Sequence, residues 1–191
     1  LTEIASAFLK RPEIANKLTL VWIGGPEYPG EAIPPPGYSN IEYNLNIDIH
    51  AARIIFNESN IPIWQIPRNA YRQTLMSYAE LQTKVKSQGI LGKYLAESIE
   101  NIMKRTAAAS DLHLGETYIM GDSPLVLLTA LQSSFEADPS SSLYTQTPRP
   151  LINEWGGYQV NHKASNIRVY NVIDNRLMFE DFYAKLALFV K

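Results

Sequence analysis

Apolar residues fall along the chain in two patterns: short runs that are almost continuously apolar, and longer stretches with helical spacing. Between residues 18 and 23 only Thr19 interrupts the apolar run, which is typical of a strand covered on both faces, and Gly24-Gly25 ends it. Runs of this kind predict strands at 18–23, 61–66, 118–120 and 166–173.

Helical spacing accounts for most of the remaining chain. Thr2 is predicted to cap the first helix, and Asp48 to cap a later one, because both side chains can accept a hydrogen bond from a first-turn N–H. The predicted helical segments are a first helix through Leu9, a short stretch from Pro12, 49–58, most of 74–108 with breaks near Gly89 and Gly92, 124–135 and 177–190.

Two segments are predicted to lack regular structure. Residues 26–41 hold five prolines and two glycines beside Glu27 and Glu31, and a loop of this length in a compact domain is usually functional. Residues 138–150 are rich in serine and proline and are predicted to form an exposed connection. Strands alternating with helices predict an α/β fold, with a mostly parallel sheet covered by helices.

The composition narrows the class of protein. A chain of 191 residues supports one sizeable core, so we expect a single domain over 1–191. The net charge of -2 and a pI near 5.9 provide no basic field for nucleic acid. No apolar run approaches the ~20 residues that span a membrane, and cysteine is absent from the sequence. We therefore expect a small-molecule partner and neither a nucleic acid nor a membrane.

The chain starts with Leu1-Thr2-Glu3, so we expect it to be an internal part of a longer gene product. A cytoplasmic location is the default expectation, and a secreted or periplasmic one stays open.

Three segments could carry chemistry, because ligands of α/β sheets bind beyond the carboxyl ends of the strands. They are the loop that follows Ile23 and ends in Glu42-Tyr43-Asn44, the turn after Ile66, and Gly121-Asp122-Ser123.

Glu42 and Asn44 are two positions apart, so in an extended segment both side chains project to one side. A carboxylate beside an amide suits a vicinal diol such as the 2' and 3' hydroxyls of a ribose. The alternative is that they are solvated loop residues or turn caps.

Asp122 follows a predicted strand and precedes a predicted helix, where an aspartate is often an ordinary N-cap. A metal ligand is the alternative, although calcium takes six to eight oxygens and no further carboxylates can be nominated nearby. His50, His113 and His162 are predicted to be surface residues. The sequence contains no P-loop, HExxH or GxGxxG motif.

Together these segments resemble the inosine-uridine preferring nucleoside hydrolase family. The resemblance lies in the ordered segments Leu1-Thr2-Glu3-Ile4-Ala5, Pro12-Glu13-Ile14-Ala15, Val21-Trp22-Ile23-Gly24-Gly25, Glu42-Tyr43-Asn44, Asp48 and Ala51-Ala52, then Asp122 and the closing strand and helix. It implies a Rossmann-like core, hydrolysis of ribonucleosides to free base and ribose by a calcium-activated water, a role in nucleoside salvage, and a homo-oligomer.

The resemblance also implies residue roles. Calcium would be bound by the main-chain carbonyl of Thr2 and the carboxylate of Asp122. The ribose would be held by Glu42 and Asn44, with Ile23 beneath the sugar. Two further substrate contacts are implied, Tyr43 where the family has a phenylalanine and Asn40 where it has an asparagine.

Three departures from the family bear on activity. The family's DxDxxxDD cluster, which holds most calcium ligands and the general base, is absent, so the chain alone is expected to be an incomplete, inactive enzyme without an assigned catalytic residue. A Pro34-Pro35-Pro36 loop replaces a shorter segment. Gly121 stands where many members have the histidine that protonates the leaving base, and Arg68 or Tyr71 is a candidate substitute donor.

Two alternatives to an enzyme remain open. One is a non-catalytic nucleoside- or sugar-binding relative of the family, and the other is a structural partner domain. Release of free base would distinguish the enzyme from the binder.

Overall fold

The computed structural model describes residues 1–37, 41–111, 113–131 and 141–190. The chain forms two compact units, each built from two separate segments. The first unit is Leu1–Tyr71 with Ser141–Ile173, and the second is Arg72–Ser140 with Asp174–Lys191. The expectation of one domain over 1–191 stays a prediction.

The strands of the described chain, in chain order, are β1 (Leu20–Ile23), β2 (Ile63–Ile66), β3 (Leu75–Ser77), β4 (Thr117–Ile119), β5 (Leu143–Pro148), β6 (Leu151–Ile152), β7 (Tyr158–Gln159) and β8 (Asn166–Val172). Its α-helices are α1 (Thr2–Lys10), α2 (Tyr43–Ile47), α3 (Ile49–Arg53), α4 (Arg68–Tyr71), α5 (Tyr78–Glu80), α6 (Gly89–Ala109), α7 (Pro124–Ala130) and α8 (Asn175–Phe189). A 3-10 helix covers Pro12–Asn16, and π-helical turns extend α3 over Ile54–Glu58 and α5 over Leu81–Lys86.

The first unit is built on a four-stranded sheet in the order β1-β2-β8-β5. β1, β2 and β8 are parallel, and β5 runs antiparallel to β8. This arrangement confirms the predicted α/β class with a mostly parallel sheet. Side chains of the sheet and of the helices α1 and α3 form the main core, including Trp22, Ile63, Val169, Ala5 and Ala52.

Asp48 caps α3 as predicted, because its Oδ1 accepts from the backbone N–H of Ala51 at 2.9 Å. The Thr2 hydroxyl donates to the other oxygen of Asp48 at 2.6 Å and thereby links the starts of α1 and α3. This bond, followed by the one from Ala51, holds the pKa of Asp48 below its usual value. The prediction that Thr2 caps α1 was wrong, since Leu1 is the N-cap and Thr2 lies inside the helix.

Four of the described strands were not predicted, namely β3, β5 and the two-residue strands β6 and β7. Residues 143–148 form the edge strand β5 rather than an exposed connection. Their side chains are mostly exposed, so it is the backbone pairing with β8 that makes this segment a strand. Leu75–Ser77 forms β3 rather than helix, and it pairs antiparallel with β4. The strand before Asp122 therefore belongs to a separate two-stranded sheet in the second unit and not to the parallel sheet.

The second unit has its own core of buried residues from the π-helical extension of α5, from α6 and from α8, joined by Met76 of β3. The predicted break near Gly89 is real, but α6 runs through Gly92. A Cβ at Gly92 would lie 2.1 Å from the Val85 carbonyl oxygen, so glycine permits this close approach. The helix after Asp122 ends at Ala130, and the rest of its predicted span falls almost wholly outside the described residues. None of the described helices is long and apolar enough to cross a bilayer.

Candidate functional site

The carboxyl ends of β1 and β2 lie side by side in the first unit. Ile23 pairs with Ile66 in the register of the two strands. Beyond them, the Arg68 N–H donates to the Gly25 carbonyl at 3.0 Å and joins the two following loops. Since ligands of parallel sheets bind at this edge, its polar side chains are the natural candidates for a site.

Glu42 is the central acceptor of this edge and is fully buried. Its Oε2 accepts from the backbone N–H groups of Gly25 at 2.8 Å and Leu45 at 3.0 Å. Its Oε1 accepts from the backbone N–H of Asn44 at 3.1 Å and from the Tyr71 hydroxyl at 2.7 Å. The carboxylate therefore caps α2 and also fixes the turn after β1.

The prediction that Glu42 and Asn44 lie in an extended segment was wrong, because α2 begins at Tyr43. They nevertheless meet at the end of β1, since the Asn44 amide donates to the Ile23 carbonyl at 3.2 Å. Of the other substrate contacts that the resemblance implies, Tyr43 is 77% exposed, whereas Ile23 is buried at 5% exposure. Asn40, the remaining substrate contact implied by the resemblance, lies outside the described residues.

Sequence reasoning missed a buried hydrogen-bond network around Gln65 in β2. The Gln65 amide donates to the Gly24 carbonyl at 2.8 Å and to the Tyr158 hydroxyl at 2.6 Å. The Tyr28 hydroxyl donates to the Gln65 oxygen at 2.6 Å. Burial raises the pKa of both tyrosines, so both stay protonated. The available signal was one glutamine inside an otherwise apolar strand.

A buried ion pair joins the loop after β1 to α4. Arg68 donates to both carboxylate oxygens of Glu27, at 2.8 Å from Nε and 2.5 Å from Nη2. The two side chains are 3% and 1% exposed. Hydrogen bonding to Glu27 raises the pKa of Arg68, so Arg68 is a poor proton donor for a leaving base.

Tyr71, the other candidate donor, is bonded to Glu42. Burial, followed by this hydrogen bond, raises the pKa of Tyr71 well above its usual value. Tyr71 therefore donates a hydrogen bond to a carboxylate and is a weak acid toward a leaving base.

Gly25 is expected to tolerate no side chain. Its φ of +91° disfavours other residues, and a Cβ there would lie 2.0 Å from the Tyr158 hydroxyl and 2.3 Å from the Gln65 nitrogen. We expect Gly25→Ala to lower the free energy of unfolding by about 3 kcal/mol in chemical denaturation. Gly30→Ala is the matched control, because Gly30 has φ +83° but nothing within 4 Å of its Cβ position, and it should cost only about 1 kcal/mol. Equal losses in the two variants would mean that the close contacts at Gly25 are unimportant.

The two residues implied as calcium ligands belong to different units. Thr2 is the first residue of α1, and Asp122 is exposed in the turn between β4 and α7. The N-cap of α7 is Ser123, so Asp122 is not the ordinary cap considered from the sequence. Among the described residues no group of three or more His, Cys, Asp or Glu side chains could hold a metal ion. These residues alone do not fit a calcium site, and the joint role of Thr2 and Asp122 stays a prediction. The three histidines are exposed, as predicted.

Comparison with known proteins gives a family match and a fold match. A family model described as inosine-uridine preferring nucleoside hydrolase matches residues 1–180. No curated protein matches the sequence significantly.

Among solved structures, the fold is similar to an inosine-uridine preferring nucleoside hydrolase from Bacillus anthracis, with a TM-score of 0.68 and 17% identity over 98% of this chain and 57% of that one. It is also similar to a purine-preferring ribonucleoside hydrolase from Gardnerella vaginalis, with a TM-score of 0.67 and 20% identity over 98% of this chain and 58% of that one. The effector protein XOO4466 matches at a TM-score of 0.54 and 17% identity, over 98% of this chain and 55% of its own. The chain thus spans little more than half the length of these structures.

Proposed function

Because this chain belongs to the inosine-uridine preferring nucleoside hydrolase family, we propose that it forms the sugar-binding part of an enzyme that hydrolyses the N-glycosidic bond of ribonucleosides to free base and ribose. The observation that carries the proposal is the convergence of Glu42 and Asn44 on the last residues of β1, at the ligand-binding edge of a parallel sheet.

Asn44 is suited to a sugar hydroxyl. It is half-buried, its amide nitrogen is held by the Ile23 carbonyl, and its Oδ1 accepts no hydrogen bond from the described part of the chain. The negative charge of Glu42, held in a site removed from water, supports the positive charge that develops on the ribosyl group as the bond to the base breaks.

Calcium is the metal that the family resemblance implies, and the roles of Asp122 and Thr2 among its six to eight oxygen ligands stay predictions. The other ligands would have to come from outside the described residues, so no reaction step is derived through the ion.

The direct test is release of free base from inosine and uridine by the native protein, with added calcium and with a chelator. Release that depends on the protein supports the proposal, and its absence for both nucleosides contradicts it. Binding without release would identify the non-catalytic relative. That candidate is favoured by Gly121, which has no side-chain acid to protonate a leaving base, and by the raised pKa values of Arg68 and Tyr71.

Asn44→Ala is expected to lower kcat/KM for inosine about ten- to a hundredfold, because a hydrogen bond to the sugar is lost. The free energy of unfolding should fall by only about 1 kcal/mol, since Asn44 makes one neutral bond at 3.2 Å. Steady-state kinetics and thermal denaturation measure the two effects. Asn57→Ala is the matched control, because Asn57 also bonds backbone atoms, at Ile152, but lies away from the end of β1. A variant that melts much lower and keeps its activity would make Asn44 a structural residue.

A further inference from the structure

The Glu42 carboxylate has no lone pair left for a substrate. A carboxylate offers about four acceptor sites. Each Glu42 oxygen already accepts two hydrogen bonds from the described residues, and the side chain is 0% exposed. A sugar hydroxyl can therefore bind Glu42 only if one of the four present donors leaves.

Three of the four donors are backbone groups held in place. The N–H groups of Asn44 and Leu45 belong to the first turn of α2, and Glu42 is the cap of that turn. The N–H of Gly25 belongs to the turn that the Arg68 N–H fixes through the Gly25 carbonyl. Releasing any of them would unwind local structure.

The fourth donor, the Tyr71 hydroxyl, is on a side chain. Tyr71 is the last residue of the four-residue helix α4 and is partly exposed, so its ring can turn away by side-chain rotation. A phenol and a sugar alcohol present the same O–H donor to a carboxylate. Exchanging one for the other keeps Glu42 fully hydrogen-bonded.

We propose that the Tyr71 hydroxyl occupies the position of a substrate hydroxyl on Glu42 and leaves it when a riboside binds, an inference that rests on the proposed function. Tyr71 is then a specificity-determining residue. A ligand that lacks this hydroxyl either leaves the phenol in its place or displaces it and leaves Glu42 with three donors, so it binds more weakly than a ligand that carries the hydroxyl. The raised pKa of Tyr71 is consistent with this role, since the phenol stays a donor.

The kinetic test compares Tyr71→Phe with wild type in the native protein, using p-nitrophenyl riboside. Removing the competing hydroxyl should lower KM about tenfold, the size expected for one hydrogen bond to a charged group, with kcat changed less than about twofold. Tyr28→Phe is the matched control, because it also removes a buried tyrosine bond, to the uncharged amide of Gln65. It should leave KM unchanged. A higher or unaltered KM in Tyr71→Phe would overturn the displacement.

A spectroscopic test does not depend on Tyr71→Phe folding. Saturating D-ribose should produce a tyrosine ultraviolet difference spectrum in wild type and in Tyr28→Phe, as one phenol leaves a carboxylate. The signal should be missing from Tyr71→Phe if that variant folds. Ribose binding without a tyrosine signal in wild type overturns the displacement and leaves the proposed function standing. A wild-type protein that binds neither ribose nor the riboside overturns both.

Discussion

Replacing Arg68 by methionine is expected to lower the free energy of unfolding by about 3–5 kcal/mol, because the Glu27 carboxylate would remain buried without its guanidinium partner. Both side chains are almost completely buried, and Arg68 makes two hydrogen bonds to Glu27. Chemical denaturation of the purified chain measures the loss.

A double variant and a control variant test whether the loss comes from the unpaired charge of Glu27. In the double variant Glu27→Gln with Arg68→Met the unpaired charge is gone, so part of the stability should return. Arg11→Met removes an ion pair to Glu13 in which Arg11 is 75% exposed, and it should leave stability almost unchanged. If Arg68→Met is as well tolerated as Arg11→Met, the buried pair does not hold the loop after β1.

Glu42→Ala is expected to cost about 3–5 kcal/mol and to abolish riboside binding. It would leave the N–H groups of Gly25 and Leu45 without their acceptor in a buried site, and α2 without its cap. Glu42→Gln keeps the volume but turns one acceptor into a donor that faces other donors, so it should also destabilise, by about 2 kcal/mol. Denaturation and ribose titration of both variants measure the two effects.

Asp48→Ala is the matched control for Glu42, because Asp48 also caps a short helix but is only partly buried. Losing this cap together with its bond from Thr2 should cost about 1–2 kcal/mol. If Glu42→Ala costs no more than this, Glu42 acts as a simple helix cap and the turn after β1 is held by other contacts.

Much of the fold was predictable because its signals are local. The apolar runs that became β1, β2 and β8, the Asp48 cap of α3 and the proline-rich loop after β1 can all be read from neighbouring residues. The loop after β1 was also correctly predicted to bring Glu42 and Asn44 to the end of that strand, but the extended segment predicted for them was wrong, since α2 begins at Tyr43.

The sequence by itself determined the α/β class and the family resemblance, which the family match confirms. It also indicated three candidate ligand-binding segments. Only the tertiary structure decided that 143–148 is an edge strand, that Leu75–Ser77 pairs with Thr117–Ile119, and that Glu27 is buried against Arg68, 41 positions away. It also decided that Tyr71, 29 positions from Glu42, bonds to that carboxylate. Periodicity and turn residues act between neighbours in sequence and leave a readable pattern. A hydrogen bond or ion pair between distant residues leaves none, because each partner alone looks like any polar residue until the folded chain brings the two together.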